Sequence, residues 1–191
     1  MYTTIQAFEA EWLNESAATA RVMDSLTDES LNVRIAPDYR TLGQLAWHLV
    51  DSQHEMLHRA GLEFEAPHRL VGRLTGQAPS PDGQQDSGDE EGKYADLTPA
   101  SAVVIAEAYR MTSRNMLAAV HKSWTDADLQ VTQNMYGEDW PNGLTLKVLI
   151  MHEVHHRGQM TVLMRQAGLR IPDLYGPTRE QWIEQGLMPL I

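Results

Sequence analysis

The chain contains no cysteine. Disulfides, thiolate metal sites and a protein-borne thiol nucleophile are therefore excluded together, and any metal must be held by His, Asp or Glu. Basic residues are also scarce: 15 Lys and Arg stand against 26 Asp and Glu, for a formal net charge of −11. The phosphate neutralisation that drives nucleic-acid binding has no source in such a chain, so no nucleic-acid partner is expected. No run reaches the roughly 18 uninterrupted apolar residues of a membrane span. The N-terminal MYTTIQAFEAEW has no basic segment followed by an apolar one, as a secretory signal would. A cytoplasmic protein without membrane contact is the expectation. The 191 residues suffice for one sizeable core and are short for two, which predicts a single domain over 1–191.

Against these absences the chain concentrates imidazole. Three of its eight histidines fall in His152-Glu153-Val154-His155-His156, inside an apolar run. Buried polar rings need partners. At about 100° per residue, His152 and His156 point within about 40° of one another on a helix, whereas His155 is swung about 100° from His156. Two neutral imidazoles one helical turn apart present two nitrogens to one divalent ion. His155 is set aside by this geometry and receives no role.

The remaining pattern supplies helices to carry such a site. Ile5, Phe8, Trp12, Val22, Met23 and Leu26 predict a first amphipathic helix from Thr4 to about Leu26. Thr41-Leu42-Gly43-Gln44 reads as a capping box opening a second, stopped by Gly61. On it His48 shares a face with Leu45, Leu49, Ser52 and Met56, which makes it the candidate third ligand. Glu55 lies almost in line with His48 but about 10 Å along the axis, a distance suited to a group behind the ligands or to a substrate contact and not to ligation. His54 and His58 lie off that line and are read as solvent-facing or at a bundle edge. Residues 77–96, rich in Pro, Gly, Ser and acids, read as a solvated, flexible insertion. Thr98-Pro99 reads as the cap and first turn of a third helix, with Val103, Ala106, Tyr109, Met116, Leu117 and Val120 as its buried face. His121 near its end reads as a charge complementing the helix C-terminus. Residues 129–140 are a short hairpin or a crossing loop. A fourth helix is expected from Leu144 to about Ala167, ended by Gly168, with Thr145, Leu149, His152, His156, Gln159 and Leu163 on one stripe. Gly158 inside it predicts close approach of a neighbouring helix. A short helix from Thr178 to Gly186 follows. The fold class is all-α, a four-helix bundle.

Three neutral nitrogens would leave a divalent ion positively charged and open to a further ligand, the arrangement of a catalytic centre. Gln159, one turn beyond His156, would orient a ligand or substrate by hydrogen bond. Arg40, just before the second helix, would hold a carboxylate of a cosubstrate or serve the surface. Arg157, on the back of the fourth helix, reads as a salt-bridge or helix-contact residue.

The pattern Leu45-Ala46-Trp47-His48-Leu49, followed by His152-x-x-x-His156-Arg157-Gly158-Gln159, resembles the DinB/YfiT superfamily over nearly the whole chain. The resemblance implies an up-down-down-up bundle, a metal centre at His48, His152 and His156, and frequent homodimers. It further implies a low-molecular-weight thiol cosubstrate, as in bacillithiol S-transferases and mycothiol-dependent isomerases, acting on a small-molecule substrate. Zn, Ni, Fe and Mn all suit histidine ligands. The chain departs from the smallest family pattern in its acidic insertion and in His155. Two other readings stand beside this one. One is a non-enzymatic metal-binding module of a stress response. The other is a zinc peptidase, because His152-Glu153-Val154-His155-His156 satisfies H-E-x-x-H. Against the peptidase, no histidine follows at the spacing of its best-known continuation, and the sequence offers no convincing strand on which to lay a peptide.

Overall fold

Thr4 opens the first helix, α1 (Ile5–Asp24), its hydroxyl accepting from the Ala7 N–H. The computed structural model describes residues 1–76 and 98–189, so the acidic insertion expected over 77–96 lies outside the described residues. α2 (Leu42–Arg59) begins on the expected capping box: the Thr41 hydroxyl accepts from the Gln44 backbone N–H, and the Gln44 side-chain Oε1 accepts from the Thr41 backbone N–H. Gly61, at φ 87°, ends it. A further short helix, α3 (Pro67–Thr75), was not anticipated, although Pro67 in its first turn and Gly76 at φ 69° behind it are the usual punctuation.

α4 (Ala102–Ser123) starts three residues later than Thr98-Pro99 suggests. The reason is a remote cap, because the Asp28 carboxylate accepts from the Ala102 N–H at 2.7 Å. Val103, expected in the core, is 72% exposed. The row that runs back from Met116 through Tyr109 in steps of seven arrives at Ala102 and leaves Val103 about 100° aside. His121, at the end of α4, lies 3.2 Å from the Glu9 carboxylate of α1.

Residues 132–141 form a hairpin, the first of the two alternatives. β1 (Thr132–Met135) runs antiparallel to β2 (Glu138–Pro141), with Met135 opposite Glu138. Tyr136 and Gly137 both take positive φ, as a two-residue turn matched to the twist of the strands requires. The Tyr136 hydroxyl donates to Glu55 at 2.6 Å, and the Arg59 guanidinium lies over its ring. The all-α expectation is amended by this one hairpin among the described residues.

α5 (Asn142–Gln166) ends as expected, with Gly168 at φ 73° and the Leu169 N–H bonded to the Met164 carbonyl. Its start is two residues early, where the Tyr2 N–H donates to the Gly143 carbonyl at 3.0 Å. Gly158 is exposed, and a Cβ there would meet nothing within 4 Å. Among the described residues no neighbouring helix approaches it as expected, and nothing in them explains this glycine. α6 (Arg179–Glu184) begins on a Thr178–Gln181 capping box.

α1 and α2 each pack against both α4 and α5, and α3 lies on α4. Their apolar rows form two clusters. One gathers Val22, Leu45, Leu49, Ile105, Tyr109, Met160 and Met164. The other gathers Phe8, Trp12, Met56, Leu57, Met116, Leu146 and Ile150. Between the two, each long helix contributes polar groups: Glu15 and Thr19 on α1, Ser52 and Gln53 on α2, Thr112 and Ser113 on α4, Glu153 and Arg157 on α5. All of these except Glu15 are buried. Among the described residues no helix is long and apolar enough to cross a membrane.

The Gly143 contact is a direct test of this packing. A Cβ at Gly143 would fall 2.1 Å from the Tyr2 carbonyl oxygen and 3.3 Å from that of Leu129. Gly143→Ala is expected to lower stability by about 1–3 kcal/mol, read as a reduced urea midpoint at unchanged m-value. An unchanged midpoint would contradict the close approach.

Candidate metal centre

Helix periodicity delivers the three histidines to one place. His48 comes from the middle of α2, and His152 and His156 from consecutive turns of α5. His48 Nε2 lies 3.0 Å from His152 Nε2. The three ring centroids are 4.4–4.8 Å apart. One ligand atom from each ring lies within 4.8 Å of the others, and this is the only such group of three among the described residues. Zn–N bonds of about 2.0–2.1 Å in tetrahedral geometry place ligand nitrogens about 3.3 Å apart, so the trio fits a metal ion with small ring movements.

The electrostatics suit the same use. Burial, then the Arg40 guanidinium and the neighbouring imidazoles, holds His48 down at about 3. Burial, then the charges of His156 and His155, brings His152 to about 4. His156 is lowered by burial, against the raising effect of its bond to Gln159. All three rings are thus neutral at pH 7, with lone pairs available to a cation. The Nδ1 of His152 is buried and has no hydrogen-bond partner among the described residues.

The other residues singled out from sequence take varied places. The Gln159 Oε1 accepts from His156 Nδ1 at 2.7 Å, although Gln159 itself is exposed. Arg40, half-buried, lies near enough for its charge to press on all three histidines. Glu55 is engaged by Arg59 and by the Tyr136 hydroxyl. His54 and His58 stack on each other 5.3 Å apart, with Phe64 edge-on to His54, and are not among the converging three. Asp51, one turn beyond His48, drew no notice in the sequence; burial and then Glu55 push its carboxyl up to about 6.

The burial of Glu153 and Arg157 was the larger omission, although Arg157 makes the salt bridge to another helix that was expected of it. Glu153 is 0% exposed and accepts from the Tyr109 hydroxyl at 2.5 Å. Burial pushes it up to about 7, against the lowering pull of Tyr109, Thr19 and Arg157. Committed to Tyr109 of α4, it is not placed as the base of a peptidase. Arg157, 1% exposed, donates to the Glu15 carbonyl at 2.8 Å and to Thr19 Oγ1 at 3.1 Å. It also pairs with the Glu15 carboxylate and bonds the Tyr175 hydroxyl. The signal was available: Leu146, Ile150, Glu153, Arg157, Met160 and Met164 follow one helical row, and its apolar members flank the two charges.

A mostly helical protein with three neutral histidines converging from two helices is the class that fold and site define. The chain belongs to the DinB family, whose model matches residues 1–187. It is 39% identical over 187 residues to the uncharacterized protein YrdA of Bacillus subtilis (strain 168), covering 98% of this chain and 97% of that one. A crystal structure of a DinB-like protein from Bacillus cereus ATCC 10987 is 39% identical, with a TM-score of 0.74, over 92% of this chain and 100% of that one. A second DinB-like structure, YjoA from Bacillus subtilis, shares the fold at 12% identity, with a TM-score of 0.59 over 88% and 97% of the two chains.

Two outcomes follow from the buried charges and the neutral rings. Removing one partner strands the other out of water, so Arg157→Met is expected to cost about 3–5 kcal/mol in denaturant unfolding. A loss under 1 kcal/mol would show the pair to be dispensable. Acid sensitivity has a definite sign. Between its folded value of about 3 and its ordinary value of 6.5, His48 is neutral when folded and takes a proton when unfolded. The unfolded state then binds more protons, so stability falls as pH drops through this window. In urea titrations of metal-free protein, His48→Gln is expected to gain on wild type between pH 7 and 5. The gain should be on the order of 1 kcal/mol after discounting for a half-buried ring. A difference independent of pH would contradict the depressed value.

Proposed function

We propose that the protein is a metal-dependent enzyme that activates a low-molecular-weight thiol for S-transfer or isomerisation. His48, His152 and His156 would hold a divalent ion, Zn, Ni, Fe or Mn. The observation that carries the reading is the convergence of three neutral imidazoles, with no carboxylate among them, in a chain that has no thiol of its own. A divalent ion in that setting supplies Lewis acidity that lowers the pKa of a bound thiol into the working range. The chain's own contribution is to keep the rings neutral by burial and to fix His156 through Gln159. Arg40 offers a cation to an anionic group of the cosubstrate, and Glu55, tied to the hairpin, is a candidate substrate contact.

The fold proposed for this role is an up-down-down-up four-helix bundle forming one domain over 1–191. It is supported by the ring of contacts in which α1 and α2 each meet α4 and α5. A cytoplasmic homodimer acting on a small-molecule electrophile completes the proposal, which family membership supports. A non-enzymatic metal-binding module of a stress response is the alternative, and a single set of measurements separates the two.

Elemental analysis of purified protein is expected to give one divalent ion per chain, lost in His48→Ala. Metal-replete protein is expected to turn over an electrophilic bimane with bacillithiol, mycothiol or glutathione. Metal retained at full stoichiometry in His48→Ala would remove α2 from the site. Full metal with no turnover by any thiol, and an unaltered cobalt spectrum on thiol addition, would favour the non-enzymatic module.

A further inference from the structure

We propose that His155 is a positioning residue that acts through Gln159 to select the tautomer of His156. This rests on the reading of His156 as a metal ligand. Helix geometry sets His155 aside from the ion, and the residue is exposed. Even so, its ring lies 4.9 Å from that of His156. The Gln159 side chain spans both imidazoles, its Oε1 2.7 Å from His156 Nδ1 and its Nε2 3.1 Å from His155 Nε2.

A carboxamide has one accepting and one donating end, so it can face two rings in only two ways. With its NH2 toward His155, whose Nε2 accepts, the carbonyl accepts from Nδ1–H of His156. A neutral imidazole protonated at Nδ1 carries its lone pair at Nε2. Turned about, the amide would donate to Nδ1 of His156 and leave the proton on Nε2. The nearest approach of His48 and His152 is between their Nε2 atoms, so that proton would sit on the atom His156 should offer. The observed amide orientation requires Nε2 of His155 to accept, and in that state Gln159 presents its carbonyl to Nδ1–H of His156 and leaves Nε2 of His156 free. The spacing suits the task, because residues 155 and 156 stand four and three positions before Gln159 on one helix.

The test begins with metal-free protein, in which long-range ¹H–¹⁵N NMR reports the tautomer of each imidazole. His156 is expected to be the Nδ1–H form in wild type and a mixture in His155→Ala. In His155→Lys, which offers only donors to Gln159, it should shift further toward Nε2–H. His155→Gln restores an acceptor and should restore the wild-type tautomer. Zn²⁺ affinity, measured by competition with a chromophoric chelator, is expected to fall about tenfold in His155→Ala. It should fall further in His155→Lys, and His155→Ala should add nothing in a Gln159→Ala background. Position 155 is exposed, so all variants should keep the wild-type melting temperature. An unchanged His156 tautomer in both His155→Ala and His155→Lys would overturn the proposal. Failure of wild type to bind Zn²⁺ would instead overturn the metal reading, and the tautomer measurement would still decide the role of His155.

Discussion

A guanidinium cannot shed its proton to escape burial, so Arg157 must be met by acceptors wherever the chain puts it. It is met by the carbonyl and carboxylate of Glu15, the hydroxyl of Thr19 and the hydroxyl of Tyr175. Four residues earlier on α5, Glu153 takes the hydroxyl of Tyr109. These contacts divide the interior into two apolar clusters joined by a polar layer to which every long helix contributes. Apolar packing tolerates small rotations of a helix about its axis, whereas hydrogen bonds of fixed direction do not. The polar layer therefore sets the rotation of α5, at a cost in desolvation that an apolar layer would not incur.

That rotation is what the histidines depend on. His152 is followed by Glu153, anchored to α4, and His156 is followed by Arg157, anchored to α1. Each ring thus stands about 100° from a residue tied to a different helix. With the core-facing row of α5 occupied by this pair, its neighbouring edge is left to face α2, where His48 completes the trio. Gln159 extends the same logic outward by holding His156 at Nδ1 from the solvent side.

Much of this architecture can be read from spacing alone, and the exceptions have physical causes. The capping box at Thr41, the glycine stops at 61 and 168, and the convergence of His48 with His152 and His156 all follow from local rules. The cap and the stops act within a few residues, and each histidine, although the trio joins two helices, shows its face by spacing along its own helix. What sequence reasoning lost depended on partners distant in the chain. The start of α4 is set by Asp28, more than seventy residues away. Gly143 is required by the passage of Tyr2 across it. Arg157 was read as a salt-bridge or helix-contact residue, which its pairing with Glu15 of α1 bears out, but neither its full burial nor that of Glu153 was foreseen, because charge is the usual mark of a solvated face. Only Glu15, Thr19, Tyr109 and Tyr175, from three other parts of the chain, make their burial tolerable. His155 was set aside because the angle from one ring to another says nothing of a side chain that reaches both.

Burial has opposite consequences for the two kinds of polar group near the centre. For Glu153 it raises the carboxyl to about 7, so the acid gains by sharing a hydrogen bond with a neighbouring phenol. For His48 and His152 it depresses the imidazoles to about 3 and 4, so the rings stay unprotonated across the neutral range. A metal ion and a proton compete for the same lone pair, and desolvation weakens the proton's claim. A divalent cation brings more charge to the same nitrogens and forms directed bonds to all three at once, which a single proton cannot do. The burial that keeps these rings unprotonated therefore leaves three converging lone pairs without protons of their own, the condition a shared cation would need.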